Sequence, residues 1–255
     1  MLDQIAGDGL GGNGITLVPR GSDYSNVVVW LHGLGDTADG WSSRMPEFKL
    51  KDTKFILPTA DTRPVALTGG NPTPAWADIF AIDLAAGQTD FHIMESPEDI
   101  EGFKASANRV LAILESEKAN GKMPSRMVVG GFSQGGALAL HVCLRATEPL
   151  AGCVACSTWV PMNKDYPAAL GSGAKDIPVA QFHGTRDEVV LLTWGQRSHR
   201  LMKEELGVKA TFDEIPDMGH SACPGELKSI GNFLQKVLPD QEKRSSSEAK
   251  KNVPG

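Results

Sequence analysis

Val128-Val129-Gly130-Gly131-Phe132-Ser133-Gln134-Gly135-Gly136-Ala137-Leu138-Ala139-Leu140 is the stretch whose reading decides the fold. An apolar β-type run, from Met127 to Val129, ends in glycines. One serine follows, and then an Ala/Leu-rich run that reads as a buried helix. A strand that turns this sharply into a helix strains the residue at the turn and leaves no room for side chains two positions either side. That explains the spacing Gly131-x-Ser133-x-Gly135. The serine oxygen is then pushed clear of the sheet, at a helix N-terminus whose free N–H groups can meet a developing negative charge. The bland alternative is a glycine-rich βα turn with a passive serine.

Outward from this elbow, apolar runs alternate with helical patterns. Ile15-Thr16-Leu17-Val18-Pro19 reads as a first, edge strand, and Val27-Val28-Val29-Trp30-Leu31 as one buried on both faces. Lys54-Phe55-Ile56-Leu57-Pro58 is a further strand, and residues 59–91 form a long excursion rich in proline and glycine. Ser96-Pro97-Glu98-Asp99 predicts a helix start with Ser96 as N-cap, and the helix stops at Asn120-Gly121. Strands follow at 151–157, 179–182 and 210–215, with helices at 193–206 and 225–238. This alternation implies a mainly parallel sheet covered on both faces, with the site at the carboxyl ends of the strands. The expected organisation is a flexible N-terminus at 1–14, one α/β domain at 15–238 and a disordered charged tail at 239–255.

The 255 residues carry a net charge of −6, and no basic footprint for nucleic acid appears. No apolar run approaches the ~20 residues of a membrane span. The first 14 residues are glycine-rich and acidic, unlike a secretory signal. Cys153 and Cys156 have a C-x-x-C spacing, but they sit in an apolar strand and no second ligand pair follows, so reduced thiols in a cytoplasmic protein are expected.

A serine hydroxyl needs a base within reach, and the base needs an acid to hold its tautomer. In the elbow template the order is nucleophile, acid, base. His220, in the loop before the closing helix, stands where the base is required; His183 is at a strand end, and His199 reads as a solvated helix residue. Asp187 is the first carboxylate after His183-Gly184, with Glu188 its direct competitor and Asp213 and Asp217 further acids. The oxyanion donors would be the N–H of Gln134, next to the nucleophile, and that of Leu34 in His32-Gly33-Leu34-Gly35.

Taken together, several motifs in one order resemble the acyl-protein thioesterase/lysophospholipase family, also called the phospholipase/carboxylesterase family. They are His32-Gly33-Leu34-Gly35-Asp36 with Trp41, Pro74-x-Trp76-x-Asp78, the elbow, Ser157-x-Trp159-x-Pro161, His183-Gly184-x-x-Asp187 and Gly219-His220-Ser221. The resemblance covers about residues 15–238. It implies an α/β-hydrolase fold without a separate lid domain, and a serine hydrolase that needs no cofactor or metal. The implied substrates are S-acylated proteins, with lysophospholipids or other carboxylic esters as the alternative. It implies Ser133, Asp187 and His220 as the triad, Leu34 and Gln134 as oxyanion donors, and Trp76 and Trp159 lining or flanking the acyl site. A non-catalytic hydrolase-fold binding protein would be expected to have lost a triad member, and no H-E-x-x-H metal motif appears. The chain departs from the family at position 2, where Leu2 replaces the cysteine that animal members often carry for palmitoylation. Its tail is also longer and more charged. At most peripheral membrane contact is expected, through apolar loops such as Val65-Ala66-Leu67.

Overall fold

A computed structural model describes residues 2–21, 23–80 and 97–238. Strands β1 (Leu2–Ala6), β2 (Gly14–Pro19), β3 (Asn26–Leu31), β4 (Thr53–Pro58), β7 (Met127–Phe132), β8 (Gly152–Cys156), β9 (Val179–Gly184) and β10 (Ala210–Ile215) form one sheet. Its order is β1-β2-β4-β3-β7-β8-β9-β10. The pairs β1/β2 and β2/β4 are antiparallel, and all pairs from β4 to β10 are parallel. Strands β5 (Thr62–Val65) and β6 (Asn71–Pro74) form a separate antiparallel hairpin within the long excursion.

Among the described residues five helices cover the sheet: α1 (Asp39–Ser42), α2 (Ile100–Ala119), α3 (Gln134–Leu144), α4 (Leu192–Arg200) and α5 (Pro224–Val237), with α4 running on into a π turn at Leu201–Glu205. The side-chain period of two divides β3. Val27, Val29 and Leu31 join the core under α2, α3 and α4, while Val28 and Trp30 join the core under α1 and α5. Both faces of β3 are buried, which is why its sequence is apolar without alternation. The same period sends Cys153 into the first core and Cys156 into the second. Their C-x-x-C spacing therefore aims the two free thiols at opposite faces of the sheet.

The N-terminal segment contributes β1 to the sheet, paired with β2 from Leu2↔Pro19 to Ala6↔Ile15. The glycine-rich run is the hairpin loop between them, folded around the buried Asp8. Its Oδ1 accepts from Leu10 and Gly12 N–H, and its Oδ2 pairs with Arg109 at 2.7 Å. The N-cap of α2 is Asp99, which accepts from Gly102 N–H at 2.9 Å and from Asp78 N–H at 2.8 Å. The expected cap, Ser96, lies outside the described residues, as does the tail. In the β5–β6 hairpin Val65 is buried, so of Val65-Ala66-Leu67 only Ala66 and Leu67 face outward. Among the described residues no helix is long and apolar enough to cross a membrane.

Candidate active site

Strand β7 ends at Phe132 and α3 begins at Gln134, so Ser133 alone makes the turn, with φ 54° and ψ −122°. This conformation costs on the order of 1–3 kcal/mol in a non-glycine residue. The surroundings hold it: Ser133 N–H donates to the Cys156 carbonyl at 2.9 Å, and its own carbonyl accepts from Thr158 Oγ1 at 2.7 Å. A Cβ on Gly131 would meet the Gly135 backbone at 2.5 Å, and one on Gly135 would run into the carbonyls of Leu31 and His32. The two flanking glycines are therefore required by close backbone approach.

Three strand ends converge on this serine. His220, in the loop between β10 and α5, places Nε2 3.0 Å from Ser133 Oγ and Nδ1 2.8 Å from Asp187 Oδ2. Asp187 follows β9 and is buried; its Oδ1 accepts from the N–H groups of Val189 at 3.0 Å and Val190 at 2.9 Å. Burial by itself pushes the Asp187 carboxyl up. The hydrogen bond and charge of His220, with the Val190 and Val189 N–H groups, outweigh it and leave the carboxyl below its usual range. An ionised Asp187 only accepts, so His220 carries its proton on Nδ1 and turns the Nε2 lone pair to the serine. The competing acids lie elsewhere: Glu188 and Asp213 are exposed, and Asp217 is exposed and paired with Arg186 at 2.7 Å.

His183 braces the acid from behind. Its Nε2–H donates to the Val190 carbonyl at 2.8 Å and lies 3.5 Å from Asp187 Oδ2. Val190 thus serves the carboxylate with its N–H and the histidine with its carbonyl. His199, expected to be solvated, is half-buried and stacks on Phe212 at 5.4 Å.

The loop after β3 is held from below. Ala60 N–H donates to His32 Nε2 at 3.0 Å, which puts the His32 proton on Nδ1, 2.7 Å from the Gly33 carbonyl. Burial lowers the His32 pKa and keeps that ring neutral. Trp76 Nε1–H donates to the His32 carbonyl at 2.8 Å. The Gln134 side chain accepts from Trp76 N–H at 3.0 Å and donates to the Ala77 carbonyl at 2.7 Å. Its backbone N–H lies in the first turn of α3, where no intrahelical acceptor exists. Among the described residues the Leu34 N–H makes no backbone hydrogen bond.

Trp76 and Trp159 are 1% and 4% exposed, and both belong to the core under α2, α3 and α4. Trp76 supports the loop after β3, because its indole N–H finds its acceptor there. Trp159 is packed in the same core.

Glu226 is an acid that the motif reading did not single out. It sits in the first turn of α5, fully buried, and neither carboxyl oxygen has a hydrogen-bond partner of good geometry. Burial drives its pKa up to about 7; the Cys156 thiol and Cys223 N–H pull it back only in part, and the Asp187 charge adds to the rise. The folded protein therefore keeps a proton that the unfolded chain has already lost. The neutral acid is tolerated below the unfolded value near 4.5, and stability falls as pH rises from there towards 7. Glu98, whose pKa burial also raises to about 7, acts in the same direction. In urea melts between about pH 5 and about pH 8, Glu226→Gln is expected to lose less stability than wild type, by about 3 kcal/mol. An equal loss in both proteins would contradict this.

With this geometry in place, comparison with known proteins is specific. A model of the phospholipase/carboxylesterase family matches residues 15–238. A protein of Mycosarcoma maydis named acyl-protein thioesterase 1 is 38% identical over 239 residues, covering 89% of this chain and 98% of that one. One of the same name from Gibberella zeae is 36% identical over 227 residues, covering 87% and 94%. Among solved structures, Zea mays acyl-protein thioesterase 2 superposes with a TM-score of 0.75 at 30% identity, covering 88% of this chain and 99% of that one. Arabidopsis thaliana SOBER1 gives 0.75 at 31%, covering 84% and 99%.

Proposed function

The chain belongs to the phospholipase/carboxylesterase family of α/β-hydrolases, and on that premise we propose that it is an acyl-protein thioesterase with Ser133 as nucleophile. The observation that carries the reading is the hydrogen-bonded relay from Asp187 through His220 to Ser133 Oγ. The relatives' names support the thioester substrate.

In the proposed reaction Ser133 Oγ attacks the thioester carbonyl while its proton passes to His220 Nε2. Asp187 stabilises the imidazolium. The Leu34 and Gln134 N–H groups receive the tetrahedral oxyanion, each such donor being worth roughly 100- to 1,000-fold in rate. His220 returns the proton to the departing cysteine sulfur, leaving the acyl group esterified to Ser133. A water deprotonated by His220 then releases the fatty acid and restores the serine. Because His32 and Trp76 fix the Leu34 loop before substrate arrives, the donors are preorganised rather than recruited. The four free thiols support a reducing compartment, the cytoplasm. S-acylated proteins are the proposed partners.

The test compares wild-type kcat/KM on a palmitoyl-thioester peptide with that on a lysophospholipid. The thioester is expected to be preferred by at least about tenfold, a transition-state difference of about 1.4 kcal/mol. The reverse preference would move the assignment to lysophospholipase, and no hydrolysis of either would overturn it.

A further inference from the structure

Four aromatic rings run from the core to the base. Trp30 of β3 packs on Trp41 of α1 with centroids 4.9 Å apart, Trp41 on Phe132 at 5.8 Å, and Phe132 on His220 at 4.7 Å, with successive planes tilted 45°, 42° and 40°. Phe132, the x before the serine, also lies under the oxyanion loop. A Cβ on Gly33 would stand 3.2 Å from its Cδ1 and 3.4 Å from Ser133 Cβ. One ring therefore packs on the base and bounds the space at Gly33, the residue before Leu34.

The base needs such a contact. His220 is hydrogen-bonded at Nδ1 and Nε2, on opposite sides of its ring. Those two bonds fix its position, but they leave the ring free to rock about the line joining the two nitrogens. A side chain packed against the imidazole face removes that freedom. Trp41, buried behind Phe132, prevents the phenyl ring from yielding.

We infer that Phe132 is a positioning residue which sets the tilt of His220 and the height of the Gly33-Leu34 backbone together, so that base and oxyanion donors are aligned by one side chain. This rests on the assignment of Ser133 and His220 made above.

The experiment uses Phe132→Leu, which keeps apolar bulk without the ring, and Phe132→Tyr, which keeps the ring. On a palmitoyl-thioester peptide, Phe132→Leu should lower kcat by about 10- to 100-fold while KM moves less than about threefold, and Phe132→Tyr should restore most of the loss. Independently of turnover, the crystal structure of Phe132→Leu should show the His220 ring turned about its Nδ1–Nε2 line or split between two orientations, and that of Phe132→Tyr the wild-type orientation. A His220 ring that keeps its wild-type orientation in Phe132→Leu would overturn the inference whatever the activities. So would a kcat within about twofold of wild type, given a wild type that turns over. A wild type inactive on the peptide would instead count against the thioesterase reading, and the orientation of the His220 ring would still decide the role of Phe132.

Discussion

Replacing Ser133 by alanine is expected to lower kcat/KM for a palmitoyl-thioester peptide by about 10⁴- to 10⁶-fold, leaving only what the oxyanion donors achieve with water. The fold should survive. Ser133 Oγ bonds only to His220 among the described residues, while the elbow is held by main-chain bonds to Cys156 and Thr158 and by the glycine contacts. Alanine at φ 54° carries the same backbone strain as serine, so thermal stability should stay within about 1 kcal/mol of wild type. A variant that keeps its melting temperature and loses turnover separates chemistry from folding. Turnover within about tenfold of wild type would remove Ser133 as nucleophile.

The second large effect belongs to Asp187→Asn, for which a loss of about 10⁴-fold in kcat is expected with little change in KM. The reason lies in how the carboxylate is held. Oδ1 accepts two N–H groups, from Val189 and Val190, and Oδ2 faces His220 Nδ1. An amide at this position keeps its oxygen on the two N–H donors, because an NH₂ there would meet hydrogens. Its NH₂ must then turn to His220 and donate to Nδ1. The imidazole proton moves to Nε2, and the base points a hydrogen at Ser133 Oγ instead of a lone pair. KM should hold because nothing that binds the acyl chain has moved. A kcat loss under about tenfold would show that Asp187 does not set the tautomer.

The fold was legible because its signals are periodic and local. The unbroken apolar run Val27 to Leu31 announced a strand buried on both faces, and Gly131-x-Ser133-x-Gly135 announced the strand–helix turn. The chain order of Ser133, Asp187 and His220 then follows from strand ends meeting along one edge of a parallel sheet. What stayed illegible depends on partners distant in sequence. Glycines at 7–12 read as flexibility, because nothing local says that Asp8 is matched by Arg109 a hundred residues on. Trp76 reads as an acyl-site aromatic by motif, and nothing local says that its indole N–H also holds the His32 carbonyl. Ser96 looked like the cap of α2, but Asp99 both caps the helix and ties down Asp78. Val65 looked like part of an apolar tip, and the turn of the hairpin buries it. Glu226 carried no motif at all; only its burial beneath the site singles it out.

The most direct measurement locates the nucleophile chemically. The protein is treated with a fluorophosphonate, which reacts with an activated serine, and the modified residue is mapped by peptide mass spectrometry while turnover of the palmitoyl-thioester peptide is followed. The account predicts phosphonylation on the peptide bearing Ser133, with activity falling in proportion to labelling and palmitoyl-thioester peptide slowing the reaction. Loss of activity with the label on another residue and Ser133 unmodified, or full turnover by protein labelled on Ser133, would contradict it.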